Sequence, residues 1–144
     1  LDFSSEFAKN AKRVILEITE QDSYQKLQGV KESMRKLRDH GYRVAIDDLG
    51  AGHNGLAVFL RLSPDIAKLD LLLVRNIHKS RDQQQIVKLL VQYCKSHAID
   101  VVAEGVEKRE EFEVLKGLGL DLIQGYYIGR PSKVLRRRPA YLCG

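Results

Sequence analysis

Arg43-Val44-Ala45-Ile46-Asp47-Asp48-Leu49-Gly50 opens as an apolar run and stops on two adjacent acids. Arg43 to Asp47 is short and rich in β-branched residues, so it reads as a strand. Gly41 precedes it and closes a helix in which Leu27, Val30, Met34 and Leu37 recur at helical spacing. Working outward, the same shape recurs. Arg13 to Ile18 is a strand carrying Glu17 near its end, and Asp22 with Gln25 three residues on starts the next helix. Leu56 to Leu60 reads as a short helix stopped before Ser63-Pro64, and Ile66 to Leu69 as a strand with Lys68, followed by Asp70. Ser80 and Gln83 form a capping box for a helix with Ile86, Leu89, Leu90 and Tyr93 on one face. Ile99 to Ala103 is a strand that runs into Glu104. Phe112, Leu115 and Leu118 mark a helix ended by Gly119, and Leu120 to Gln124 is a fifth strand. Strand and helix alternate, which predicts an α/β protein with a parallel sheet and helices outside it, either doubly wound or a barrel.

Each strand is apolar until its end and then carries a polar side chain: Glu17, Asp47 with Asp48, Lys68 with Asp70, Glu104, and Gln124. Side chains alternate along a strand, so Glu17 shares a side with Ile15, Asp47 with Ala45, Lys68 with Ile66 and Glu104 with Val102. All can point to one interior, and in a β/α barrel the active site lies at that end of the strands. Crowded carboxylates repel unless a cation compensates them. Oxygen ligands without His or Cys suit hard ions such as Mg²⁺ or Mn²⁺. Such a site holds a phosphate and lowers the pKa of water, with Lys68 available to neutralise phosphate charge or orient the water. The chemistry expected is metal-assisted phosphoester hydrolysis. Any one of these acids also reads as a solvated loop residue; the set at matching strand ends is what points to a site.

Other motifs are weaker. Gly50-Ala51-Gly52-His53-Asn54-Gly55 is formally a dinucleotide-binding turn, with Asp70 twenty residues after Gly50. Asp47 and Asp48 beside those glycines would repel a pyrophosphate without a metal. His40, His53, His78 and His97 show no zinc spacing. Cys94 sits in an apolar helical pattern as a buried thiol, and with Cys143 it makes too few cysteines for a disulfide framework, which fits a cytoplasmic setting. With 44% hydrophobic and 30% charged residues in 144, the chain is expected to be one globular domain rather than disordered. No apolar run approaches membrane-spanning length, and no signal peptide is visible. The net charge of +5 owes much to Arg136-Arg137-Arg138, a solvated tail or a patch for an anionic partner; it does not by itself make a DNA binder.

Leu16-Glu17-Ile18-Thr19-Glu20, Ile46 through Gly52, Lys68-Leu69-Asp70, Val102-Ala103-Glu104-Gly105-Val106-Glu107 and Gln124-Gly125-Tyr126 through Pro131 resemble, in order and spacing, the EAL domain family from about Val14 to Pro131. The resemblance implies a partial modified TIM (β/α) barrel with about five of eight βα units, residues 1–135 being the domain and 136–144 a basic tail. It implies hydrolysis of cyclic di-GMP to linear pGpG with two Mg²⁺ or Mn²⁺ ions. Glu17, Asp47 and Asp48 resemble the family's metal ligands. Glu104 resembles a further acid at the water, and Lys68 the lysine that positions or activates it. Asp70, Glu107 and Gln124 match supporting or substrate-side positions. Glu20 resembles the acid that orders the loop after Asp48; it also reads as a plain helix-start charge.

The departures matter as much. The strand bearing the Glu-Ala-Leu motif, and the strand after it bearing an Asn ligand, have no counterpart before Glu17, and Glu6 lies in a helical context with Phe3 and Phe7. The resemblance therefore implies an N-terminally truncated domain, an open sheet edge and weak or no activity from this chain alone. Leu49 and His53-Asn54-Gly55 depart from the family's loop, which couples metal binding to dimerisation. Three functions stay open: part of a phosphodiesterase, with a homodimer and a regulatory or sensor domain as its candidate partners; a degenerate module that binds cyclic di-GMP or a protein without hydrolysis; or a module that completes its barrel by self-association.

Overall fold

A computed structural model describes residues 10–18, 27–51 and 55–133. The helix start at Asp22 and Gln25, Glu6, Glu20, the loop residues 52–54, Cys143 and the tail from 136 lie outside the described residues. The five strands are β1 (Ile15–Ile18), β2 (Arg43–Leu49), β3 (Ile66–Leu69), β4 (Asp100–Ala103) and β5 (Leu122–Ile123). They pair side by side in chain order, all parallel. A doubly wound sheet would reverse its order at a switch point. A monotonic order is that of consecutive barrel staves, so the sheet is part of an α/β barrel.

Among the described residues five helices connect or flank the strands: α1 (Leu27–Asp39), α2 (Gly55–Leu62), α3 (Leu71–Val74), α4 (Arg81–Ser96) and α5 (Arg109–Gly117). Right-handed crossovers in a monotonic sheet place helices on one outer face. The outward strand residues Val44, Ile46, Ala67, Leu69, Val101 and Ala103 share one core with Met34, Val58, Phe59, Leu62, Val87, Val91, Cys94 and Leu115 from the helices. Each large side chain buried there contributes roughly 1.5–3 kcal/mol. The opposite, inner face carries Ile15, Ala45, Ile66, Val102 and Leu122 by register. It is closed at its middle, where Ile66 is 4% exposed, and open at both edges, where Ile15 is 48% and Leu122 45% exposed.

Several element limits differ from the sequence reading. β1 starts at Ile15 because residues Ala11–Arg13 form a 3-10 turn, and β2 runs two residues past Asp47. α3, an all-apolar Leu71–Val74 turn capped by Asp70, and a 3-10 turn at Ile77–Lys79 were not foreseen. The capping box at Ser80 is half formed. Ser80 Oγ accepts from Gln83 N at 3.2 Å, while the Gln83 side chain donates to Leu72 O and Arg75 O instead of returning to Ser80. Gln84 likewise reaches Ile77 O at 2.9 Å. These bonds fix the phase of α4, so Val87, Val91 and Cys94 meet the sheet. The expected face is corrected: Ile86, Leu89 and Tyr93 are exposed, and Leu90 is only partly buried.

Candidate functional site

Lys68 is the centre of the rim. It stands on the middle strand, its side chain 11% exposed, with Nζ 2.9 Å from Asp47 Oδ1, 2.9 Å from Glu104 Oε1 and 3.0 Å from Glu17 Oε1. The register explains the convergence. Glu17 pairs with Ala45, Ala45 with Ile66, and Lys68 with Val102, so all four charged groups rise from the inner face, one per strand. Burial works against the charge of Lys68, but its hydrogen bonds to Glu104, Asp47 and Glu17 outweigh that and hold it protonated well above the usual lysine range. Burial is also the main influence on Glu104. Together with neighbouring Asp47 it pushes that carboxyl above its ordinary value, against the pull of Lys68.

Asp48 joins them by breaking the strand's alternation. A regular strand would send it to the face opposite Asp47. Here the register slips between Ile46 and Leu49, a bulge, and Asp48 takes the left-handed conformation at φ 56°. Aspartate tolerates that region better than most side chains. One carboxylate oxygen each from Asp47, Asp48 and Glu104 then lie within 4.8 Å of one another. Three carboxylates share the Lys68 ammonium and a fourth, Asp48, stands beside two of them; all offer oxygen donors, a set that suits a hard divalent cation.

The remaining expected residues divide. Asp70 caps α3, its carboxylate accepting from Leu72 N at 2.8 Å, and is not brought into the cluster around Lys68. Gln124 is exposed and contributes its backbone: its N–H donates to Ala103 O at 2.8 Å and its carbonyl accepts from Val106 N at 3.1 Å. Gly125 follows with φ 156° and sits so close to the Val106 backbone that a Cβ would overlap it, so the β5 end and the turn after β4 interlock only with glycine there. Glu107 is exposed, and its N–H donates to Glu111 at 3.1 Å. Glu111 itself escaped the sequence reading, although an acid at the third position of a helix is a capping signal. Glu20 lies outside the described residues.

The model of the EAL domain matches residues 2–131. The chain belongs to the EAL domain family. It is 36% identical over 119 residues to the probable cyclic di-GMP phosphodiesterase PdeA of Escherichia coli (strain K12), an alignment covering 83% of the chain and 16% of PdeA. BlrP1 of Klebsiella pneumoniae, solved as a complex with manganese and cyclic di-GMP, superposes with a TM-score of 0.78 at 40% identity, over 84% of this chain and 31% of BlrP1. A standalone EAL protein of Vibrio cholerae O395, solved with cyclic di-GMP bound, superposes with a TM-score of 0.80 at 34% identity, over 85% of this chain and 52% of that one. The chain thus spans about half of a standalone EAL protein and a much smaller share of the longer relatives. It is a fragment of the EAL domain, and its five-stranded sheet is part of the EAL barrel. Among the described residues no helix is long and apolar enough to cross a membrane.

Proposed function

We propose that this EAL chain is the metal-binding and acid-bearing part of a phosphodiesterase that hydrolyses cyclic di-GMP to linear pGpG. The observation that carries the reading is Lys68 held within about 3 Å of Glu17, Asp47 and Glu104, beside Asp48, at one end of the sheet. Glu17, Asp47 and Asp48 would hold Mg²⁺ or Mn²⁺, the all-carboxylate donor set fitting either ion. When bound, such an ion supplies Lewis acidity toward a phosphodiester. Lys68 stays protonated, so its role is to orient water and balance phosphate charge rather than to take a proton. Glu104, its carboxyl raised by burial, is placed to accept the proton as water adds to phosphorus and one P–O ester bond breaks. Asp70, Glu107, Gln124 and Glu20 would support these groups or face the nucleotide.

The partners follow from the same reading: cyclic di-GMP as substrate, a cytoplasmic setting compatible with the buried unpaired Cys94, and a regulatory or sensor domain in the parent protein. A second copy of the chain fits the apolar stripe Ile86, Leu89 and Tyr93 of α4, which lies beside exposed Leu56 and Leu60 of α2; Phe59 and Tyr93 contact edge to face at 5.8 Å between these helices. Loss of dimer on Leu89→Lys in size-exclusion chromatography would support that copy.

The test of the function is product formation. The purified chain is incubated with cyclic di-GMP and Mg²⁺ or Mn²⁺, pGpG is sought by chromatography, and Asp47→Asn is the control. The chain alone is expected to turn over weakly or not at all, and to bind cyclic di-GMP only when the metal is present. Nucleotide binding that ignores both metal and Asp47→Asn would favour a non-hydrolysing module. Absence of both product and metal-dependent binding would overturn the reading.

A further inference from the structure

Among the described residues two charged side chains are buried, Lys68 at the rim and Glu111, which is 1% exposed. Glu111 stands at the third position of α5, behind the rim. Its Oε1 accepts from Asn76 N at 2.8 Å, and its Oε2 accepts from Glu107 N and Lys108 N, each at 3.1 Å. The three donors come from two segments. One, Asp70 to Asn76, leaves β3 just after Lys68; the other, Glu104 to Lys108, leaves β4 and begins with Glu104 itself. Near the sheet these segments are already joined: Glu104 N donates to Leu69 O at 3.2 Å, and Gly105 lies against the Leu71 side chain, which a Cβ there would have to displace. Glu111 closes their far ends. Lys108 adds a second tie, its Nζ donating to Asn76 Oδ1 at 2.7 Å, and Asn76 holds the left-handed conformation at φ 57° where the first segment turns. Burial alone would drive the Glu111 carboxyl up, but the three backbone donors and Lys108 leave it below the ordinary glutamate range, so the clamp is ionised.

We propose that Glu111 is a positioning residue: its carboxylate clamps the segment after β3 to the segment after β4 and so sets Glu104 against Lys68. The proposal rests on the reading of the rim as a metal site, and Glu111 acts on it through the backbone of the two segments without touching the groups that would hold metal. Residues bonded directly to metal ligands alter metal affinity about 10–100-fold when removed, and Glu111, a step further back, is expected at the low end of that range.

The test uses the full 144-residue chain with Glu111→Ala and Glu111→Gln, followed by amide hydrogen exchange and by Mn²⁺ titration. Glu111→Ala is expected to speed exchange in both segments, 70–76 and 104–108, and to weaken Mn²⁺ binding about tenfold or more. Glu111→Gln keeps one acceptor oxygen and is expected to recover part of both effects. A folded Glu111→Ala chain whose 70–76 amides stay protected, or whose Mn²⁺ affinity matches that of the unsubstituted chain, overturns the proposal. If Glu111→Ala does not fold, Glu111→Gln decides it by the same two readouts. If the unsubstituted chain takes up no Mn²⁺, the reading of the rim fails on its own, and the exchange of 70–76 alone decides the clamp.

Discussion

The two ends of the same sheet carry charge in opposite ways. At the N-terminal end the charges balance. Arg38 Nε lies 3.3 and 3.2 Å from the two oxygens of Asp65, Val44 N donates to Asp65 Oδ2 at 2.8 Å, and Arg43 pairs with Asp100 while reaching Asp65 O. Two arginines meet two aspartates, and the result stitches β2, β3 and β4 together at their starts. At the C-terminal end Glu17, Asp47 and Glu104 converge on the single ammonium of Lys68, and the Asp48 carboxylate stands beside those of Asp47 and Glu104. Two like charges about 4 Å apart repel by about 4 kcal/mol at a dielectric typical of a protein surface. Such crowding persists in a fold only where something else compensates it. The contrast separates a structural use of charge from an arrangement that asks for a cation.

Removing the compensation should give the largest effect. Lys68→Met preserves bulk and apolar packing but takes from Glu17, Asp47 and Glu104 the ammonium they share. Breaking a buried ion cluster from one side costs about 3–5 kcal/mol, and the half-exposed Glu17 puts this site at the low end, roughly 3 kcal/mol. Mn²⁺ should restore part of the loss, so that the metal stabilises Lys68→Met more than it stabilises the unsubstituted chain. Urea unfolding in chelator and in millimolar Mn²⁺ measures both. Equal stability of the two chains in chelator would break the comparison, because Lys68 would then compensate nothing.

Much of this was legible before the structure. The rim was readable because each strand ends in a polar residue whose side follows from simple alternation, and the βα alternation needed only the elements to be counted, while the choice between a doubly wound sheet and a barrel waited on the strand order. Three features were not. Asp48 obeys no alternation: its place beside Asp47 depends on a bulge and on φ 56°, which no periodicity encodes. The helix after Ser80 has two apolar stripes, and Ile86, Leu89 and Tyr93 look as good as Val87, Val91 and Cys94 until the Gln83 and Gln84 hydrogen bonds fix its phase. Leu71–Val74 is apolar throughout and shows no period at all, so neither that turn nor the cap Asp70 supplies to it was foreseen.

Glu111 offers an intermediate case, a carboxylate compensated by backbone N–H groups rather than by cations or a metal. Its folded value lies below the ordinary one, and the unfolded chain's glutamate titrates near pH 4.3. Its contribution is therefore complete above about pH 4.3 and is lost as pH falls through the folded value. Between pH 6 and pH 3 the unsubstituted chain should lose more stability than Glu111→Gln, which has no charge to lose, by no more than about 2 kcal/mol, the most that titration from pH 4.3 down to pH 3 can release. Urea midpoints of the two proteins at the two pH values give the difference, in which titration of the other acids cancels. A gap that stays constant between pH 6 and pH 3 would show that hydrogen-bond shape, and not charge, is what Glu111 supplies.

The smallest effect tests the balanced end. Asp65→Asn keeps an oxygen for Val44 N but removes the charge that faces Arg38. Both partners are about a third exposed, so solvent already screens the pair, and the loss should be about 1 kcal/mol or less. Salt should shrink it further, since a screened surface pair fades within a Debye length of about 8 Å at physiological ionic strength. The decisive observation is the metal response. Asp65 lies at the opposite end of the strands from Asp47, and its neighbours already balance one another. Mn²⁺ should therefore stabilise Asp65→Asn as much as it stabilises the unsubstituted chain, whereas Asp47→Asn should abolish the shift. Melting curves with and without Mn²⁺ make the comparison directly. If Asp65→Asn also blunted the metal shift, the ends of the sheet would be coupled through β3, and charge balance alone would no longer distinguish them.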